Sequence, residues 1–322
     1  MVMIFLKILF WGALGTVALL RIGAYVCYRM TFYSSPKRPE AHRSEYPVPD
    51  GKVYEPFKEQ ITDWIKFARS LPYREVSIQS HDGLTLRGRY YEFSPDAPIE
   101  LMIHGYRGWG ERDMSGGVYR CQCLGHNALV IDHRASNESD GSVITFGILE
   151  SRDCRLWVDY IINDINPNAK ILLTGISMGA STVMIMSSQQ LPVNVVGILA
   201  DCGYTSNREI IEKVMRDIKL PPKLFYPLVK LGAKLFGKFE LEEFSPIEEV
   251  QRSRLPILFF HGDTDDFVPH TMSIQNHEAC TAHKRLVIIP NAGHGLCFPV
   301  APETYMQEMR DFFDPILEKN TL

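Results

Sequence analysis

At Ile171-Leu172-Leu173-Thr174-Gly175-Ile176-Ser177-Met178-Gly179-Ala180 an apolar run meets Gly-x-Ser-x-Gly and then small residues. Such a pattern is a buried strand, a sharp turn and a helix, with Ser177 on the turn. Strand and helix backbones pass so closely there that side chains at 175 and 179 would collide, which is why both flanking positions are glycine. The turn pushes the hydroxyl out above the sheet edge. No other stretch restricts the architecture as much, because it fixes a buried strand, a tight turn and a helix in immediate succession.

A serine hydroxyl is a weak nucleophile at neutral pH, so a base must take its proton and a third group must orient the base. Two later strand-like runs end in suitable residues. Pro256 to Gly262 opens into Asp263-Thr264-Asp265-Asp266-Phe267-Val268-Pro269, and Leu286 to Ile289 is followed by Pro290-Asn291-Ala292-Gly293-His294-Gly295. Asp263, Asp265 and Asp266 all stand at the right place for the acid. Asp201, at the end of another predicted strand, is a fourth choice.

The order Ser177, Asp, His294 is the chain order of the α/β-hydrolases. With His104-Gly105-Tyr106, Asp132-x-Arg134 and Gly262-x-x-Asp265-x-x-Val268-Pro269, the sequence resembles serine hydrolases of that superfamily over residues 74–318. The resemblance implies an α/β fold with a mostly parallel central sheet flanked by helices. It also implies Ser177 as nucleophile, Asp265 as acid and His294 as base. The backbone N–H groups of Tyr106 and Met178 are then the oxyanion donors. Ala135 and Asn137 replace two glycines of the family's Asp-x-Arg-Gly-x-Gly-x-Ser-x-Gly, and Ser139-Asp140-Gly141 closes it. His104 is expected to brace its loop, Arg107 to be a solvated loop residue, and Asp132 to pair with Arg134.

Other function classes find little support. The 322 residues carry a formal net charge of −4, with no basic stripe and no phosphate-binding loop, so nucleic acid is not an expected partner. Seven cysteines without paired spacing read as small buried hydrophobes, and Cys121-x-Cys123 is too short for a zinc site. The expected chemistry needs no cofactor and no metal. His270 and His277 are expected to be structural.

Residues 1–28 form an expected transmembrane anchor: only Lys7 is charged before Arg21, and Ile8 to Leu20 is unbroken apolar sequence. A charged start and a small-x-small cleavage site are both missing, against a removed signal peptide. Arg21, Arg29, Lys37, Arg38 and Arg43 follow the span, which places the catalytic domain on the cytoplasmic side of a single-pass protein. Residues 29–73 then read as a Pro-rich extended connector and an amphipathic helix, Phe57 to Leu71. Val76 to Tyr91 is an expected hairpin. Ile99 to Ile103, Ala128 to Ile131 and Val195 to Leu199 are expected strands, and Gly147 to Asp164 and Pro302 to Leu317 are expected helices. Residues 206–250, too long for a simple connection, are the expected helical cap over the site. Leu224, Phe225, Leu228, Val229, Leu231, Leu235, Phe236 and Phe239 give this cap an apolar supply suited to an acyl chain or to a bilayer, at least half of it expected simply to seat the cap on the core.

These readings combine into a membrane-anchored serine hydrolase for small-molecule carboxylic esters of medium or long acyl chains. A thioesterase, an aminopeptidase-like hydrolase and a membrane-tethered binding module without turnover are the alternatives.

Overall fold

The computed structural model of the chain describes residues 2–35 and 45–319. Eight strands form one sheet: β1 Arg74–Gln79, β2 Thr85–Tyr91, β3 Ile99–Ile103, β4 Asn127–Ile131, β5 Ile171–Ile176, β6 Val195–Asp201, β7 Ile257–Gly262 and β8 Lys284–Ile289. Their order across the sheet is β1-β2-β4-β3-β5-β6-β7-β8. The hairpin β1-β2 is antiparallel and meets β4 antiparallel, while every pairing from β4 to β8 is parallel.

Central strands covered on both faces must be apolar along their whole length, and β3, β4 and β7 are buried at every residue. Side chains alternate between the faces. Leu101, Ile103 and Leu173 pack with Trp157 and Val158 of α4 (Ile148–Tyr160) and with Ala180 and Val183 of α5 (Met178–Met186). On the opposite face Met102 meets Met114 and Val118 of α3 (Gly110–Leu124). Leu172, Leu199 and Leu258 on that face join Ile65 of α2 (Lys58–Ser70) and Phe312 and Phe313 of α11 (Pro302–Lys319).

α1 (Val2–Thr31) is a helix of 30 residues, about 45 Å at 1.5 Å per residue. It is long and apolar enough to cross a membrane. Burial begins only at its end, where Ala24 and Tyr28 face α7 (Pro222–Gly232). Gly232 permits the close crossing, since a Cβ there would press on the Ala24 carbonyl and the Tyr28 side chain. Also between β6 and β7 are α6 (Asn207–Asp217), a π-helical turn (Ala233–Gly237) and α8 (Pro246–Arg252), and α9 (Thr271–Ala279) and α10 (Cys297–Val300) flank β8.

Two expectations change here. The connector is not only a spacer: Pro36, Pro39, Lys37, Arg38 and Arg43 lie outside the described residues, but Tyr46 and Val48 pack back on the body of the domain. Part of the apolar supply of residues 206–250 is spent on α1 and on residues around Phe146, because Val229 and Phe239, with Tyr226, share a cluster with Tyr28, Phe32 and Phe146, while Leu224 and Leu235 stay exposed.

Candidate active site

β5 ends at the tight turn its glycines require. Ser177 has φ 57° and ψ −118°, a conformation non-glycine residues rarely adopt. A Cβ on Gly175 would strike the Gly179 carbonyl, and one on Gly179 would strike that of Ile103, so the crossing of β3, β5 and α5 demands glycine at both places. Ser177 N–H donates to the Asp201 carbonyl at 2.8 Å, and the side chain, 9% exposed, opens into a cavity.

The loops after β7 and β8 bring in the other groups. His294 Nε2 is 2.9 Å from Ser177 Oγ, and His294 Nδ1 is 2.7 Å from Asp265 Oδ2. An Nδ1–H donating to the carboxylate leaves the Nε2 lone pair facing the hydroxyl, the tautomer a base requires. Among the competing acids, Asp263 is exposed and accepts from Asn291 N–H, Asp266 is exposed, and Asp201 accepts from Tyr305 Oη at 3.1 Å.

Asp265 is held from several directions. Oδ1 accepts the backbone N–H groups of Phe267 (3.0 Å) and Val268 (2.8 Å). Oδ2 lies 3.2 Å from His261 Nε2, whose proton is also aimed at the Val268 carbonyl, while Ser273 Oγ donates to Nδ1 of the same ring. Burial by itself would raise the carboxyl, but the hydrogen bonds from His261 and His294 outweigh it and hold Asp265 well below the usual carboxylate range. His261 was not identified from the sequence. Its signal is only that it stands four residues before the acid on the end of a buried strand.

The loop after β3 lies against the serine. Gly105 is packed so closely that a Cβ there would be 3.4 Å from that of Ser177, and Tyr106 lines the same cavity. Met178 begins α5, where the first N–H groups of a helix have no partner within it. The loop residue Tyr106 and the start of α5 at Met178 thus both stand beside Ser177 in the fold. His104 braces this loop: its Nδ1–H donates to the Gly105 carbonyl and its Nε2 accepts from His133 N–H. Burial, then the neighbouring His133, pull it down to about 4, so it stays neutral at pH 7. Burial draws His133 down to about 3.

Two bracing expectations are corrected. Arg134 does not pair with Asp132; it binds Asp153 and Asp82, while Asp132 accepts from Gly110 N–H and from the Asn137 amide. Arg107 is not simply solvated: its guanidinium donates to the carbonyls of Met30 and Tyr33.

The cavity before Ser177 holds about 330 Å³, within the usual range for small-molecule sites. Ile61, Trp64, Met114, Leu296 and Phe298 give it apolar walls, and Tyr54 of the connector closes one side and donates to the His294 carbonyl at 3.0 Å. Among the described residues none from 206–250 lines it, contrary to the expected cap over the site. Cys202, Asp265 and His294 have potential ligand atoms within 4.8 Å of one another. That set does not fit a metal: burial pushes the Cys202 thiol well up, away from the thiolate, and the other two groups are bonded to each other.

No family model matches the chain. It is 27% identical over 192 residues to YqkD, an uncharacterized protein of Bacillus subtilis, a match covering 59% of this chain and 63%, under two thirds, of that one. It is 22% identical over 304 residues to the protein bem46 of Schizosaccharomyces pombe, covering 92% and 89%. Among solved structures, the esterase Pf2001 of Pyrococcus furiosus superposes with a TM-score of 0.66 at 20% identity, over 89% of this chain and 99% of that one. By sheet order, serine turn and structural likeness, this chain is an α/β-hydrolase in fold.

Proposed function

We propose that the chain is a membrane-anchored serine hydrolase that cleaves carboxylic esters of medium or long acyl chains. Ser177 Oγ attacks the ester carbonyl as His294 Nε2 takes its proton, and Asp265 stabilises the imidazolium that forms. The N–H groups of Met178 and Tyr106 hold the tetrahedral oxyanion. His294 then protonates the leaving alcohol, water repeats the attack on the acyl-enzyme, and the acid departs with Ser177 restored.

The observation that carries this reading is the hydrogen-bonded row Asp265–His294–Ser177 at the mouth of a cavity. The esterase named among the structural neighbours agrees with it. Apolar walls from α2, α3 and α10, rather than from the cap, support an acyl chain as the bound group. The exposed apolar stretch of α1 supports anchoring, and the positive charges after it support a cytoplasmic catalytic domain. Protease protection of the domain in right-side-out vesicles, with digestion in inside-out ones, is the expected outcome for that orientation.

The test of bond and chain length compares p-nitrophenyl esters of increasing acyl length with aminoacyl-nitroanilides on detergent-solubilised protein. The reading expects esters to be preferred, with kcat/KM rising from acetyl to octanoyl. Preference for the anilides points to a peptidase and overturns it, as would faster cleavage of acyl thioesters.

A further inference from the structure

We propose that the end of the membrane helix is a working support of the oxyanion loop and not only a tether. The inference rests on the serine-hydrolase reading above. A helix leaves its last carbonyls without intrahelical partners, and something outside must meet them. Here the partners come from the loop after β3. Tyr106 Oη donates to the Thr31 carbonyl at 2.7 Å, and the Arg107 guanidinium donates to those of Met30 (2.8 Å) and Tyr33 (3.3 Å). A cation is also favoured at the negative end of the helix dipole.

The helix end is itself fixed. Phe32 is fully buried, with its ring 5.8 Å from that of Phe146 and 5.2 Å from that of Phe239. Ile144 N–H donates to the Phe32 carbonyl, and Ser34 N–H to that of Ser142. The Tyr106 ring in turn lies 5.1 Å from Phe146. Residues 28–34 thus form a plug that holds the Tyr106–Arg107 stretch. Gly105 and Gly108 are tied to the body, through Asp113 and through Ser136, but the side-chain hydrogen bonds described for Tyr106 and Arg107 all run to the plug. Arg107 holds φ 53°, a strained value that needs such outside support.

The consequence is kinetic. Tyr106 contributes a backbone N–H to the transition state, and its side chain sets where that N–H sits. Losing one oxyanion donor costs about 10²–10³ in kcat, so loosening one without removing it is expected to cost about tenfold. Substrate binding, made by the apolar walls of the cavity, is untouched. Tyr106 and Arg107 side chains are therefore positioning groups.

The experiment uses full-length protein in nonionic detergent and p-nitrophenyl butyrate, with kcat and KM measured separately for the parent, Tyr106→Phe, Arg107→Ala, Arg107→Lys and Ser177→Ala. Expected are about tenfold losses of kcat for Tyr106→Phe and Arg107→Ala with KM within about twofold, and partial recovery in Arg107→Lys. A kcat within twofold of the parent in Tyr106→Phe, or a loss confined to KM, overturns the proposal. Should Arg107→Ala not fold, Tyr106→Phe, which lacks one hydroxyl only, decides alone. Turnover retained in Ser177→Ala, or absent from the parent, overturns the hydrolase reading and this inference with it. A silent Ser177→Ala beside a fully active Tyr106→Phe overturns this inference alone.

Discussion

Replacing Asp265 by Asn changes one atom and reverses a chain of donors. The two backbone N–H groups of Phe267 and Val268 require an acceptor at the Oδ1 position, so the Asn oxygen must stay there and its NH₂ must take the place of Oδ2. That NH₂ then faces His294 Nδ1 and His261 Nε2. His294 satisfies it by moving its proton to Nε2, which points a donor instead of an acceptor at Ser177 Oγ across 2.9 Å. An Asp-to-Asn change at a triad acid costs about 10⁴ in kcat through this wrong tautomer, equivalent to about 5.5 kcal/mol. The expected result is a kcat about 10⁴ below the parent with p-nitrophenyl butyrate, KM within about twofold, and a matching loss in the rate of fluorophosphonate labelling. Asp263→Asn and Asp201→Asn serve as comparisons. A variant Asp265→Asn within about tenfold of the parent, or a larger loss in either comparison, refutes the assignment of the acid.

Two further outcomes follow from the same geometry. His261→Ala removes one donor to the Asp265 carboxylate and is expected to lower kcat by about tenfold with KM unchanged, since a hydrogen bond to a charged group is worth about 1.5–3 kcal/mol; His261→Gln should recover part of it, and equal kcat in all three proteins refutes the role. Stability should fall as pH drops: His104 and His133 are held to about 4 and about 3 by burial, below their ordinary 6.5. At these two sites the unfolded chain binds more protons throughout that interval, and their share of the ΔG of unfolding declines as pH falls from about 6.5 toward 4; Asp153, which burial raises to about 6, acts with the opposite sign and reduces the net slope. Urea midpoints measured across that range check it, and a flat profile contradicts it.

Much of the fold was legible because its signals are local. β3, β4, β5 and β7 are short apolar runs each ending in a chemically distinctive loop, and the positions of Ser177 and His294 follow from turns that only glycine-rich sequence can make. What escaped depends on partners distant in the chain. Arg134 sits two residues from Asp132, yet its carboxylates come from β1-β2 and α4, where nothing in the spacing announces them. Arg107 meets carbonyls more than seventy residues earlier, and a backbone acceptor has no sequence signature. The apolar cap residues signalled burial only in part, and not against what: Val229 and Phe239 are buried while Leu224 and Leu235 stay exposed, α1, read as a membrane element alone, ends inside the domain and takes up part of that surface, and α2, α3 and α10 line the cavity. His261 stands immediately before the recognised motif that starts at Gly262, but no periodicity says that a buried strand-end histidine turns toward an acid four residues on.

The central claim is that Ser177 is a nucleophile activated by His294. The direct measurement is covalent labelling of the detergent-solubilised full-length chain with a fluorophosphonate, followed by peptide mass spectrometry to find the modified residue. The account predicts one adduct per chain, on Ser177, absent from Ser177→Ala and strongly slowed in His294→Ala. An adduct elsewhere, equal labelling of Ser177→Ala, or no reaction with folded parent protein contradicts it.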